Sequence, residues 1–159
     1  MANHSDWERL ARALRELHRV LVVRARTDYL REQSNGGDVS PGELLRLLTS
    51  DPYFAWLRSL SELMVDIDAV GDRDDHEPLV QSGAIRAAVE HLVAPPGPSE
   101  APSDFAERYW PYVQDDPHVA MAHGELKRAL SSWPAPAKAD RESLSTHRTA
   151  VRDRARERR

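Results

Sequence analysis

Three residue types that could do chemistry sit where a helical chain would be expected to carry leucine or alanine: His18, Ser61 and Asp68. On a wheel of about 100° per residue, Asp68 falls roughly 20° from Leu57 and about 40° from Met64, inside an apolar face of Tyr53, Leu57, Leu60, Met64 and Ile67. Ser61 lies beside it. His18 falls about 40° from Leu14 on a separate apolar face. A carboxylate turned into such a face costs several kcal/mol unless a cation or donor meets it, so Asp68 is expected to have a partner. His18 is the leading candidate, with Arg24 and the Ser61 hydroxyl as others. His18, Ser61 and Asp68 are therefore the candidate ligand-binding residues, lining an interior polar pocket. Against this stands the plainer expectation that they are satisfied packing or capping groups.

Other side chains with chemical potential are less well spaced. His118 and His123 are five apart, whereas two ligands on one helical face need a spacing of three or four. His123 reads as a boundary residue of the Val119, Leu126, Leu130 face. Glu62 and Asp66 have helical spacing but fall on the outer side. The Glu-x-x-His pairs of di-iron bundles are missing, as are a glycine-rich phosphate loop, a G-x-S-x-G elbow, H-E-x-x-H and an EF-hand loop. With no cysteine in the sequence, disulfides and thiolate chemistry are excluded. The reading favours a protein that is not an enzyme, with no catalytic residue, metal or cofactor assigned.

The elements that must position these residues are helices. Trp7, Leu10, Ala11, Leu14, Leu17, Leu21, Ala25 and Tyr29 recur at three-four spacing, predicting a first helix to about Gln33, with Ser5 and Glu8 at capping-box spacing. Ser40-Pro41-Gly42-Glu43 starts a short leucine-rich helix, and Asp51-Pro52 starts a longer one to about Val70. A charged loop, Asp72 to Glu77, leads to a fourth helix opened by Pro78. Ala94 to Pro98 reads as a stiff connector. Asp104 and Glu107 have capping-box spacing for the next helix, in which Pro111 predicts a kink or break near Trp110. Asp116-Pro117 opens the last helix, to about Trp133. If the first and third helices run parallel, His18 and Asp68 meet; if antiparallel, Asp68 lies nearer Trp7.

The fold expected is all-α, a single-domain bundle of five or six helices over residues 1–133, with a disordered arginine-rich tail over 134–159. Apolar residues make up 40% of the chain and charged residues 30%, ordinary for such a bundle. The total charge of −4 conceals a split: from Pro134 onward eight Lys and Arg face four Asp and Glu, a net of +4, which leaves −8 on the body. An acidic body disfavours nucleic acid and anionic lipid, and only the tail would attract them, weakly. The opening MANHSDWERL has neither the basic nor the apolar region of a secretory signal, and the longest apolar run, Tyr53 to Leu57, is far short of the ~20 residues of a membrane span. A soluble cytoplasmic protein is expected.

Trp56 and Leu63 widen the apolar arc of the third helix. Such a helix is either central in the bundle or covered by another subunit. The sharper expectation makes Trp56 and Leu63 an interaction surface, for a homodimer or another protein.

The segment ELLRLLTSDPYFAWLRSLSELMVDID, Glu43 to Asp68, resembles a group of uncharacterised small bacterial proteins sharing an ELLxLLxxDPxFAWLRxLSELxVxID core. Flanking pieces extend the likeness: Leu14 to His18, Phe105 to Tyr109, and Asp116 to His123. The resemblance implies an all-helical cytoplasmic protein and no activity. Pro111 departs from the group's uninterrupted helix, and the basic tail lies outside the match.

Overall fold

The computed structural model describes residues 4–33, 37–71, 78–99 and 101–141, without the side chains of 70, 71 and 78–81. The expected charged loop and the chain beyond Arg141 lie outside the described residues. Six α-helices are present there: α1 (His4–Glu32), α2 (Pro41–Ser50), α3 (Arg58–Gly71), α4 (Pro78–Leu92), α5 (Asp104–Asp115) and α6 (Pro117–Ser131). A 3-10 segment, Pro52–Leu57, precedes α3. No strand occurs among the described residues, and no described helix is long and apolar enough to cross a membrane.

Local chemistry sets most of the starts. The Ser40 hydroxyl accepts the Glu43 amide at 3.2 Å, with Pro41 in the first turn where its missing N–H costs nothing. Asp51 and Asp116 repeat one device: each carboxylate accepts the amide two residues on, from Tyr53 and His118, at 2.9 Å, across an intervening proline. Two expected caps move. α1 already includes Ser5 and Asp6, and α5 is capped by Ser103, whose hydroxyl accepts the Ala106 amide at 3.2 Å, so Asp104 is the first helical residue. α5 also runs unbroken through Pro111. Phe105, Ala106 and Tyr109 are buried before that proline and Tyr112 after it, which holds both halves on one core and offsets the lost backbone bond.

The start at Asp51 does not yield one long helix. The Phe54 amide bonds to the Asp51 carbonyl at 3.1 Å, an i→i+3 link that begins the tighter winding. At three residues per turn Phe54 and Leu57 share a face, and both are buried.

α1 is the central element, packing most extensively on α6 and next on α3. Both neighbours run antiparallel to it. Along α6, Trp7 meets Trp133 and Arg24 meets Asp116; along α3, His18 meets Ser61 and Arg15 meets Asp68. The core gathers Leu10, Leu14, Leu17 and Leu21 with Phe54, Leu60, Ile67, Phe105, Tyr109, Leu126 and Leu130, each essentially without solvent exposure. Burial of each such side chain is worth about 1.5–3 kcal/mol.

The ordered chain continues past the expected boundary at Trp133. Arg86 of α4 donates to the Trp133 carbonyl, and residues 138–141 form a helical turn in which the Ala137 amide donates to Asp140 Oδ2 at 2.8 Å. Gly83 permits this approach, because a Cβ there would collide with the Asp140 carboxylate.

Candidate functional site

The three candidate residues are not gathered into one pocket. His18 and Ser61 meet, with Nε2 and Oγ 3.3 Å apart in a half-buried contact between α1 and α3. Asp68 does not join them. Its side chain keeps 52% of its surface in solvent and pairs with Arg15 at 2.9 Å, a partner absent from the sequence-based candidates. Two causes account for this correction. The antiparallel course of α1 and α3 carries Asp68 toward Trp7 and away from His18. The wheel is also centred too near Leu57 and Met64: the buried residues of α3 are Leu60, Leu63 and Ile67, and Asp68 lies about 80° from Leu60, at the flank of that arc. An exposed pair of this kind contributes about 0–1 kcal/mol.

The His18–Ser61 contact links α1 to α3. Ser61 Oγ also lies 3.3 Å from the Leu57 carbonyl, the usual back-bond of a serine inside a helix. A hydroxyl has one proton; given to Leu57, it leaves Ser61 accepting from His18 Nε2–H. That tautomer is the reverse of the one a general base would use on a serine nucleophile. Burial alone pushes the His18 imidazole below its ordinary value.

His118 and His123 diverge as their spacing suggested. His118 is exposed in the first turn of α6, while His123 is half-buried and its Nδ1 lies 2.6 Å from the hydroxyl of fully buried Tyr109. Burial raises the Tyr109 phenol above its usual range, so it stays protonated and donates. Burial, and secondarily Lys127, lowers the His123 imidazole, so it stays neutral and accepts. Among the described residues no group of three or more His, Cys, Asp or Glu could hold a metal ion.

These two histidines predict an acid-sensitive fold. Burial holds both imidazoles below their ordinary value in the folded protein, so the unfolded chain binds more protons at mildly acid pH. Their contribution is fully present above about 6.5 and is lost as pH falls through the folded values. Urea midpoints should therefore drop between pH 7.5 and 5.5, and His18→Asn with His123→Gln should flatten that slope. A slope unchanged in the double variant would assign the effect to other groups.

A polar cluster that the sequence did not point to lies at the other end of α1. Arg24 binds Asp28 at 3.3 Å and Asp116 at 3.5 Å, and its guanidinium lies 5.2 Å from the centre of the Tyr112 ring. Asp28 also receives Arg31 at 3.5 Å. Desolvation, then the hydrogen bond to Asp28, pushes the Tyr112 hydroxyl up. Arg24, expected as an alternative partner for Asp68, thus ties α1 to the α5–α6 corner. The only local signal was the four-residue spacing of Arg24 and Asp28; Asp116 is distant in sequence.

Trp56 and Leu63 are inside the molecule, correcting their assignment to an interaction surface. Trp56 is 6% exposed and packs against Phe105 and Tyr112, with ring centroids at 5.7 and 6.0 Å. The wide arc of the segment is filled by α5, the central-helix alternative. The large apolar side chains that do face solvent, Val23, Leu45, Val65 and Met121, each sit on a different helix.

A groove of about 380 Å³ opens between the first turns of α1 and the end of α3. Trp7, Ala11 and Ile67 supply its apolar lining, and His4, Glu8, Arg12, Arg15 and Asp68 its polar groups. Asp68 is the one predicted residue that reaches it; His18 and Ser61 do not line it. Its size lies at the lower end of ligand sites, but five of its eight lining residues are polar or charged, whereas such sites are mostly apolar.

Family models, curated proteins and solved structures all return no match to this chain.

What the groove offers chemically is modest and specific. Arg15 and Asp68 neutralise one another, and His4 Nε2 holds Glu8 Oε1 at 3.3 Å. No side chain in it is arranged as a nucleophile with an adjacent base.

Proposed function

We propose that this chain is a non-enzymatic interaction or accessory protein whose contact site is the groove between α1 and α3. The observation that carries this reading is the groove itself, where Trp7, Ala11 and Ile67 lie among the polar side chains of His4, Glu8, Arg12, Arg15 and Asp68. The cysteine-free sequence needs no oxidising compartment, which supports a cytoplasmic setting. A small-ligand reading draws on the same groove but loses its interior pocket, since His18 and Ser61 stand outside it. With Trp56 and Leu63 occupied internally, that face has nothing left to offer a second copy.

Filling the groove tests the proposal. A tagged full-length chain should retain a partner that Ala11→Trp and Glu8→Lys both lose, while Leu45→Asp, on the exposed side of α2, keeps it. Circular dichroism should show all three variants folded. Equal capture by the three would remove the groove from the contact, and loss with Leu45→Asp alone would move the contact to α2.

A further inference from the structure

The arginines of α1 are almost all committed. Arg9 pairs with Asp6, Arg15 with Asp68, Arg19 with Glu16, Arg24 with Asp28 and Asp116, Arg26 with Asp38, and Arg31 with Asp28. Arg12 differs. It is exposed, lines the groove, and among the described residues has no acid in ion-pairing reach. Glu8, one turn earlier and the natural i,i+4 partner, is engaged by His4 instead. Among the described residues the helix therefore leaves one guanidinium unmatched, in the groove that Trp7, Ala11 and Ile67 also line.

A guanidinium is a planar fork of donors that fits a carboxylate through two parallel hydrogen bonds. We propose that Arg12 is the recognition residue of the groove, and that it takes a single carboxylate side chain on a partner protein, next to an apolar side chain seated against Ala11 and the edge of Trp7. This rests on the groove being the contact site. The charges around Arg12 narrow the choice. Arg12 and Arg15 balance Glu8 and Asp68, so the groove carries no net excess positive charge to draw a doubly charged phosphate. A carboxylate with one charge can meet Arg12 without a second charge facing the acids of the rim. Asp68 already occupies Arg15, which sets the position of the acid at Arg12. A neighbouring second acid would face Glu8 or Asp68 and be repelled, an element of selectivity beyond simple attraction.

The test uses the full-length chain labelled with nitrogen-15, observed at the Trp7 indole N–H and the Arg12 guanidinium N–H. The probes are acetyl-Ala-Leu-Glu-Ala-amide, its Gln and Lys analogues, and free 3-phenylpropionate. The Glu peptide should shift both resonances saturably, at least about tenfold more tightly than the Gln analogue, and added salt should weaken it. Arg12→Gln should remove that preference, while Arg58→Gln, which lies outside the groove, should leave it intact. Equal binding of the Gln analogue, preference for Lys, or an unchanged preference in Arg12→Gln would overturn the carboxylate assignment. Shifts with phenylpropionate and none with the Glu peptide would make the ligand a small acid and overturn the partner source. If no probe binds while Ala11→Trp still severs the partner, Arg12 recognition fails and the groove reading stands; if Ala11→Trp has no effect, the groove reading itself fails.

Discussion

Trp133→Ala should destabilise the fold by about 3–5 kcal/mol, the largest effect expected of any single replacement described here. Trp133 is 2% exposed and closes the core beyond the end of α6, its ring 4.7 Å from that of Trp7 in an edge-on contact. Its carbonyl receives Arg86, so one residue joins α1, α4 and the chain after α6. Removing the ring opens a cavity that three separate elements would have to collapse together to fill. Domains of this size have about 5–15 kcal/mol of stability in all, so the variant should unfold at much lower urea. Trp133→Phe should cost far less, about 1 kcal/mol, because a ring remains. The indole N–H it removes is buried without a hydrogen-bond partner among the described residues, so no bond is lost with it. An alanine variant within about 1 kcal/mol of the parent would show that the core ends before Trp133.

Arg24→Met should cost about 2–3 kcal/mol, although it keeps the bulk of the side chain. The loss comes from what remains: Asp28 and Asp116, with 18% and 17% of their side-chain surface exposed, would face each other's region with less positive charge between them. The figure sits below the about 3–5 kcal/mol of a fully buried pair because the Arg24 side chain keeps 30% of its surface in water. Arg15→Met is the contrast. It removes an ion pair of shorter distance, 2.9 Å, yet should change stability by no more than about 0.5 kcal/mol, since both partners are over half exposed. Urea unfolding of the two variants side by side decides whether burial or distance governs. A larger loss from Arg15→Met would reverse the assignment of the structural pair. A double-mutant cycle of Arg24 with Asp116 separates the bridge from the second duty of Asp116, capping α6.

The element starts were largely legible before any coordinates. Ser40, Asp51 and Asp116 announce themselves because each bonds an amide only two or three residues away. The apolar periodicity of α1 likewise named Leu10, Leu14, Leu17 and Leu21 as core, and they are. The candidate site was legible only in pieces. Ser61 is expected beside Asp68 and meets His18 instead, while Asp68, expected inward, is half in solvent with Arg15. The inward reading of Asp68 takes its bearing from Leu57 and Met64, whereas Leu60, Leu63 and Ile67 mark the buried arc of α3 and Asp68 stands at its flank.

Within its own sequence the chain dictates an all-helical fold, where most helices begin, and which leucines turn inward, because those outcomes depend on contacts among residues a turn or two apart. Helix direction and phase came from elsewhere. The antiparallel set of α1 against α3 and α6 follows from burying several apolar stripes at once, and it is this that brings Arg15 to Asp68 across 53 residues and Arg24 to Asp116. The same packing opened a groove at Trp7 with Arg12 on its rim, and enclosed Trp56 behind Phe105 and Tyr112. A wheel gives the face a side chain occupies on its own helix; only the assembled bundle decides what stands opposite.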